Sequence, residues 1–207
     1  MSHKHTPIRQ KMTGRDPHEA HRASTPLELL FDLVFVVAIA LAAAQLHHGI
    51  AENHAGTAII QFVMVFFAIW WAWMGFSWFA SAFDTDDIPY RLTVMVQMTG
   101  ALVIAAGIPS VFKSNDWRII VLGYIIMRLG SVTQWLRAAK QAPAHRAAAL
   151  RYAVGITLCQ AGWAGSLALP LPKDYSLIIF ATMVAAELLV PAWAEKATHT
   201  PWHTHHI

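Results

Sequence analysis

The chain has 207 residues, of which 56% are hydrophobic and 13% charged, and its mean hydropathy is +0.43. Soluble domains usually carry about a quarter charged residues. The composition therefore argues against a soluble globular protein, and the long apolar blocks indicate membrane-spanning helices. The formal net charge is +3, but no basic run is interleaved with aromatic residues, so nucleic-acid binding is not predicted.

Residues 1–24 are predicted to form a polar, basic tail outside the bilayer. The first span opens at Thr25-Pro26-Leu27-Glu28, which has threonine at the N-cap, proline at the first helical position and glutamate three residues on. This is the pattern of a capping box. The apolar run that follows is too long for a signal peptide, so we expect it to remain as the first transmembrane helix.

Apolar blocks of about 20 residues recur along the chain, as a hydrocarbon core of about 30 Å requires. The predicted spans are about 25–46, 56–82, 90–111, 117–139, 148–169 and 175–194. Pro109 is expected to end the third span, and Trp117 and Trp135 to mark the two interfaces of the fourth. Ala161 and Gly165 would permit a close helix contact in the fifth. The predicted fold is all-α, a polytopic bundle over residues 25–195 followed by a His-rich tail, 196–207.

The distribution of lysine and arginine predicts the orientation. With the N-terminus in the cytoplasm, that side receives eleven basic residues and the opposite side three. The eleven are Lys4, Arg9, Lys11, Arg15, Arg22, Arg91, Arg137, Lys140, Arg146, Arg151 and Lys196. Both termini are therefore expected on the cytoplasmic side of the inner (cell) membrane.

Four ionisable residues fall within the predicted spans: Glu28, Asp32, Arg128 and Glu187. A charge at mid-bilayer costs at least about 2.5–3.5 kcal/mol on insertion scales, so such residues usually have a partner or a function. At about 1.5 Å per residue, three of them lie at similar depth, which predicts that Arg128 bridges Asp32 or Glu187. Such a bridge either fixes helix packing or belongs to an ion or proton path.

Two polar clusters lie outside the spans. Asp84, Asp86 and Asp87, with Arg91 nearby, form an interfacial acidic turn that could hold a divalent cation or simply cap a helix. The tail histidines have a spacing compatible with zinc but lack a companion cysteine or carboxylate pattern: His199, His203, His205 and His206. No catalytic motif is visible, so neither an enzyme nor a cofactor is predicted.

Several segments resemble the low temperature requirement protein A family of bacterial membrane proteins. These segments are 25–36, 70–73 with 78–80, 83–87 with 90–92, 127–129 with 134–137, 187–191 and 201–207. The resemblance implies a polytopic inner-membrane protein linked to growth in the cold. Family members continue beyond the position of Ile207, which implies an N-terminal half whose partners are the lipid bilayer and either further copies or a separately encoded C-terminal half. The first span is also similar, more distantly, to that of six-span lysosomal and bacterial potassium channels.

These features support three functional hypotheses. The first is ion or solute transport in stress or cold adaptation, carried by the intramembrane charges. The second is a scaffold or partner-binding bundle in which those charges only lock the helices. The third is a membrane-embedded enzyme that modifies lipids, with the aspartates at 84–87 at the interface.

Overall fold

The computed structural model describes residues 8–14, 25–168 and 176–201, and these form an all-α bundle. The helices are α1 (Pro26–Ala51), α2 (Ala55–Ala82), α3 (Ile88–Ser114), α4 (Arg118–Gln141), α5 (Arg146–Ala168) and α6 (Ser176–Glu195). Two two-residue strands, β1 (Thr13–Gly14) and β2 (Phe83–Asp84), pair antiparallel, and a 3₁₀ turn spans Pro143–His145. The all-α prediction is confirmed.

Five of these helices are long and apolar enough to cross a membrane: α1, α2, α3, α4 and α6. The exception is α5, although it is 23 residues long. Its sequence is rich in alanine and glycine and includes Arg146, Arg151 and Gln160, which lower its hydropathy. The described residues thus provide five candidate spans where the sequence predicted six.

Local chemistry explains where the first helix begins. The Thr25 hydroxyl accepts from the Glu28 amide at 3.2 Å, and the Glu28 carboxylate accepts from the Thr25 amide at 3.3 Å. Two amides that have no partner within the helix are thereby satisfied. The predicted capping box is confirmed.

The sequence predicted that the third helix ends at its proline, but the helix continues beyond it. Pro109 lies inside α3, which continues to Ser114. Asn115 then adopts a left-handed backbone (φ 55°), and its amide donates to the Val111 carbonyl at 2.8 Å. A proline removes one backbone hydrogen bond, and a membrane helix tolerates this loss where neighbouring groups compensate.

The closest helix packing is between α3 and α4. A Cβ on Gly100 would lie 2.7 Å from the Gly123 carbonyl oxygen, and one on Gly123 would lie 2.6 Å from the Gly100 carbonyl oxygen. The two backbones can approach this closely only because neither residue has a side chain. Gly165, which was predicted to mediate a close contact, has nothing within 4 Å of its Cβ position.

Around the bundle, α1 packs between α2 and α3, α4 packs between α3 and α5, and α6 packs on α5. α2 also contacts α4, so that α2, α4, α5 and α6 surround a common interior. Trp135 is only 2% exposed in this interior, where its ring stacks on Tyr152 at 4.1 Å. Trp135 thus packs between helices near one end of α4, and hydropathy does not reveal which neighbour a tryptophan packs against.

One end of the bundle collects four chain segments. β1 pairs with β2 of the α2–α3 connection, and Gly14 lies beside His145 and Pro201. The Ala148 amide at the start of α5 donates to the Thr198 hydroxyl at 3.2 Å. The N-terminal segment, the α2–α3 and α4–α5 connections and the residues after α6 therefore lie at the same end, while Asn115 lies at the other.

A buried ion pair as candidate functional site

Glu187 is the centre of the polar interior. It lies on α6, is 1% exposed, and forms an ion pair with Arg128 of α4, whose Nη2 lies 3.2 Å from its Oε2. Of the two partners predicted for Arg128, the structure selects Glu187. Arg128 is itself 3% exposed, so both charges are removed from solvent and from lipid.

The Glu187 carboxylate accepts hydrogen bonds from five side chains on three other helices. Oε2 receives Arg128 and the Trp71 indole N–H at 3.1 Å, and Oε1 receives the Tyr124 hydroxyl and the Gln160 amide, each at 3.1 Å. The fifth donor, the Trp163 indole N–H, is 3.4 Å from Oε1. These hydrogen bonds connect α6 to α2, α4 and α5 through one side chain.

The Arg128 guanidinium is less completely paired than the carboxylate. Its Nη2 donates to the Tyr124 hydroxyl at 2.8 Å as well as to Glu187, and its carbon lies 4.9 Å from the centre of the Tyr124 ring. Gly75 makes room for the guanidinium, because a Cβ there would lie 2.6 Å from Nη1. Arg128 Nε has no hydrogen-bond partner among the described residues. A buried donor without a partner is costly.

A cavity of about 30 Å³ adjoins this pair. Its walls come from α2, α4, α5 and α6: Trp71, Met74, Gly75, Trp78, Arg128, Trp135, Tyr152, Ile156, Glu187, Val190 and Pro191. This volume is enough for at least one water molecule. Arg128 and Glu187 thus give an otherwise apolar and aromatic cavity one charged wall.

A second, smaller cavity of about 20 Å³ lies on the other side of Tyr124 and is entirely apolar. It is lined by Phe67, Ala68, Trp117, Ile120, Val121, Tyr124, Trp163 and Phe180. Trp117 and Arg118 begin α4 at the end of the bundle that holds Asn115. The two cavities and the ion pair therefore lie along one axis between α2, α4, α5 and α6.

The remaining predicted intramembrane residues lie apart from this centre. Asp32 of α1 accepts from the Trp73 indole N–H at 2.7 Å. Glu28 caps the start of α1. Of the two bridges predicted for Arg128, the one to Glu187 is formed, and Asp32 has a partner of its own.

In the acidic turn, two aspartates are paired with arginines. Asp86 forms a bidentate pair with Arg91, at 2.6 and 2.7 Å. Asp87 caps α3 and accepts from Arg137 and from the amides of Gln10 and Tyr90. Burial raises the pKa of Asp87, but these hydrogen bonds outweigh it and lower the pKa to about 2. The side chain of Asp84 lies outside what the structure describes.

The described ranges 8–14, 25–168 and 176–201 contain no cluster of three or more histidine, cysteine, aspartate or glutamate side chains that could hold a metal. His199 is exposed and lies 4.0 Å from Glu195. The other candidate ligands of the tail, His203, His205 and His206, fall outside the described residues. Cys159 is buried and has a free thiol.

Sequence reasoning missed most of the donors around Glu187. In the sequence, three of these donors look like ordinary apolar positions: Trp71, Tyr124 and Trp163. Only the spacing of Tyr124 and Arg128, four residues apart, indicated two polar groups on one helix face. Glutamine side chains also bridge helices. Gln61 donates to the Val111 carbonyl, Gln97 to Gln134 and Gln160 to Glu187.

Comparison with known proteins supplies the family. The model of the family described as "Bacterial low temperature requirement A protein (LtrA)" matches residues 23–207. An uncharacterized protein of Rhizobium meliloti (strain 1021) is 35% identical over 92 residues, which cover 44% of this chain and 21% of that relative. No solved structure matches the chain significantly, and the likeness to potassium channels gains no support. The chain belongs to the low temperature requirement A family and is an integral membrane protein of that type.

Proposed function

We propose that the protein moves a small ion or polar solute across the membrane by way of the Arg128–Glu187 centre. The single observation that carries the proposal is a fully buried ion pair bordering a cavity that can hold at least one water molecule. Ionisable residues inside a membrane bundle commonly mark a pathway. Among the residues that the structure describes, Arg128 Nε has no partner, which leaves a donor available to a passing ligand.

The proposed topology has six crossings, with both termini in the cytoplasm of a bacterial cell membrane. The 23 residues of α5 reach about 35 Å at 1.5 Å per residue, and α5 packs between α4 and α6. The excess of lysine and arginine at the end that includes the α4–α5 connection supports a cytoplasmic location for that end. The family description supports a role in growth at low temperature.

The transport proposal is tested by flux into proteoliposomes, with H⁺, Na⁺, K⁺ and Cl⁻ offered in turn. We expect Glu187→Gln to reduce flux at least about tenfold, the equivalent of about 1.4 kcal/mol, because the exchange removes the charge and keeps the size. Asp116→Asn is the matched control: Asp116 pairs with Arg118 at the exposed end of α4, and flux should be unchanged. Equal flux in a folded Glu187→Gln protein, or no flux in the wild type, would contradict the proposal.

A scaffold is the second candidate function, and one observation favours it. The Glu187 carboxylate already accepts from five donors, which leaves little capacity for a ligand. If the pair only locks helices, combining Arg128→Gln with Glu187→Gln should recover the stability that either change removes and leave no functional defect. The lipid-modifying hypothesis is supported least, because Asp86 and Asp87 are engaged by arginines.

A further inference from the structure

We infer that the end of the bundle is a binding site for an extended peptide, and that its ligand is the chain's own segment 8–14. This strap, as we name residues 8–14, closes that end over the aromatic wall of the cavity. The inference concerns access to the cavity and holds whether or not the protein transports a solute.

The site binds the main chain of the strap through hydrogen bonds. Asp87 accepts from the Gln10 amide at 2.9 Å, and Arg137 donates to the Gln10 carbonyl at 2.7 Å. Arg137 also donates to Asp87, at 2.9 Å from Nη1 to Oδ1. A single ion pair thus satisfies both backbone groups of one strap residue, which is how an extended strand is recognised without regard to its side chain.

Two further contacts extend the grip. The Met12 amide donates to the Gln141 side-chain oxygen at 2.7 Å, and Thr13 and Gly14 pair antiparallel with Asp84 and Phe83. The Met12 side chain is fully buried, whereas the side chain of Ile8 is 81% exposed. Backbone pairing supplies attachment and Met12 supplies the apolar anchor, the usual division of roles when a strand is added to an edge.

The strap is connected to the cavity through a series of aromatic contacts. β2, to which it pairs, holds Phe83, whose ring lies 5.9 Å from Trp135. Trp135 stacks on Tyr152, and both line the cavity beside the ion pair. While the strap is bound, Phe83 is held against Trp135. Release of the strap would leave Phe83 and Trp135 free to move apart.

The strap is not packed on all sides, because an open groove of about 290 Å³ runs between its residues 11–14 and residues 141–145. Gly14 fits only because it has no side chain: a Cβ there would lie 2.9 Å from Pro201 Cγ and 3.0 Å from His145 Nε2. Attachment therefore depends on a few specific groups and not on a large apolar area.

The first experiment measures access to the cavity. In a Cys159→Ala background, Ile156→Cys places one thiol on the cavity wall, and a charged, membrane-impermeant methanethiosulfonate is added at the strap end. We expect Met12→Asp to raise the labelling rate at least about tenfold, as expected for local opening of a weakly held segment. Ile8→Asp is the matched control, because Ile8 is on the same strap but 81% exposed, and it should label as slowly as the wild type. Equal rates for Met12→Asp and Ile8→Asp would overturn the inference.

The second experiment identifies the occupant and does not require the cavity to open. Thr13 and Asp84 are register partners in the strand pair, so Thr13→Cys with Asp84→Cys in the Cys159→Ala full chain should form a disulfide on mild oxidation. We expect an intrachain bond, which migrates as a monomer, and its loss in Met12→Asp. A disulfide-linked dimer would show that a second copy supplies the strap, and absence of any crosslink would show that the site is empty. Either result overturns the inference.

Discussion

At the scale of single residues, the two intramembrane carboxylates Glu187 and Asp32 differ in their partners. Arg128 and Glu187 are both almost fully buried and form an ion pair with each other. Asp32 instead accepts a hydrogen bond from the Trp73 indole N–H. Because the donors of Glu187 are distributed over α2, α4 and α5, this one carboxylate connects α6 to much of the bundle.

Removing the Glu187 carboxylate should therefore destabilise the bundle according to what replaces it. We expect Glu187→Leu to lower the free energy of unfolding by about 3–5 kcal/mol, because Arg128 becomes an uncompensated buried charge. Glu187→Gln should cost less, since its amide oxygen still accepts a hydrogen bond. Thermal unfolding in detergent measures both. A Glu187→Leu protein as stable as the wild type would contradict this account of the site.

Asp87 predicts how acid affects the strap end. Its pKa is about 2 in the folded protein and 3.8 as the ordinary value. Its stabilising contribution is complete above pH 3.8 and is lost as the pH falls toward 2, by roughly 2 kcal/mol in total at 1.36 kcal/mol per pKa unit. In acid titrations followed by amide hydrogen exchange at Gln10, wild type should lose protection in this window. Asp87→Asn should lack that transition, and an identical transition in the variant would count against the assignment.

At the scale of helices, the closest contact, α3 with α4, depends on residues that lack a side chain. Gly100 and Gly123 face each other across the interface. Gly107 repeats the arrangement seven residues further along α3, where a Cβ would lie 2.9 Å from the Ile120 amide nitrogen. Seven residues return a helix to nearly the same face, so the contact is continuous along α3.

Filling this contact should separate the two helices. We expect Gly123→Val to destabilise the protein by about 3 kcal/mol, at the upper end of the usual range for overpacking, because the new side chain meets backbone and not a flexible group. Gly165→Ala is the matched control, since its Cβ would meet nothing within 4 Å. Comparable melting temperatures for the two variants would show that the α3–α4 contact tolerates separation.

The sequence was informative where the cause of a structure is local. The capping box at Thr25 and the number of helices follow from neighbouring residues, and the buried Arg128 required a carboxylate partner. The choice of Glu187 over Asp32, the interior position of Trp135 and the glycine contact of α3 with α4 all depend on which helices become neighbours. Hydropathy contains no information on that choice, so these features could not be predicted.

At the scale of the molecule, the helices differ in how much of their surface faces other helices. α3 and α4 pack in the centre, whereas α1 exposes an apolar stripe toward the lipid, with residues at 50–61% exposure: Leu29, Leu30, Leu33, Val36 and Val37. Bilayer and interior are equally apolar, so exposed leucines here are expected and need no partner.

The arrangement of the ends gives a topology prediction for the whole molecule. In the Cys159→Ala background, Ala144→Cys should react with an impermeant thiol reagent from the cytoplasmic face, and Asn115→Cys only from the opposite face. The reason is that residues 143–145 lie with the strap at the basic end, whereas Asn115 follows α3 at the other end. Labelling of intact cells and of inverted vesicles gives the answer. Reaction of both thiols from one face would contradict the predicted topology.

The hydrogen bonds that hold Gln10 have a consequence for natural variation in this protein. Because Asp87 and Arg137 hold only the main-chain amide and carbonyl, position 10 can accept nearly any amino acid except proline, which has no N–H to offer. Position 12 is restricted instead, because the Met12 side chain is fully buried. Related chains should therefore vary freely at position 10 and keep an apolar residue at position 12.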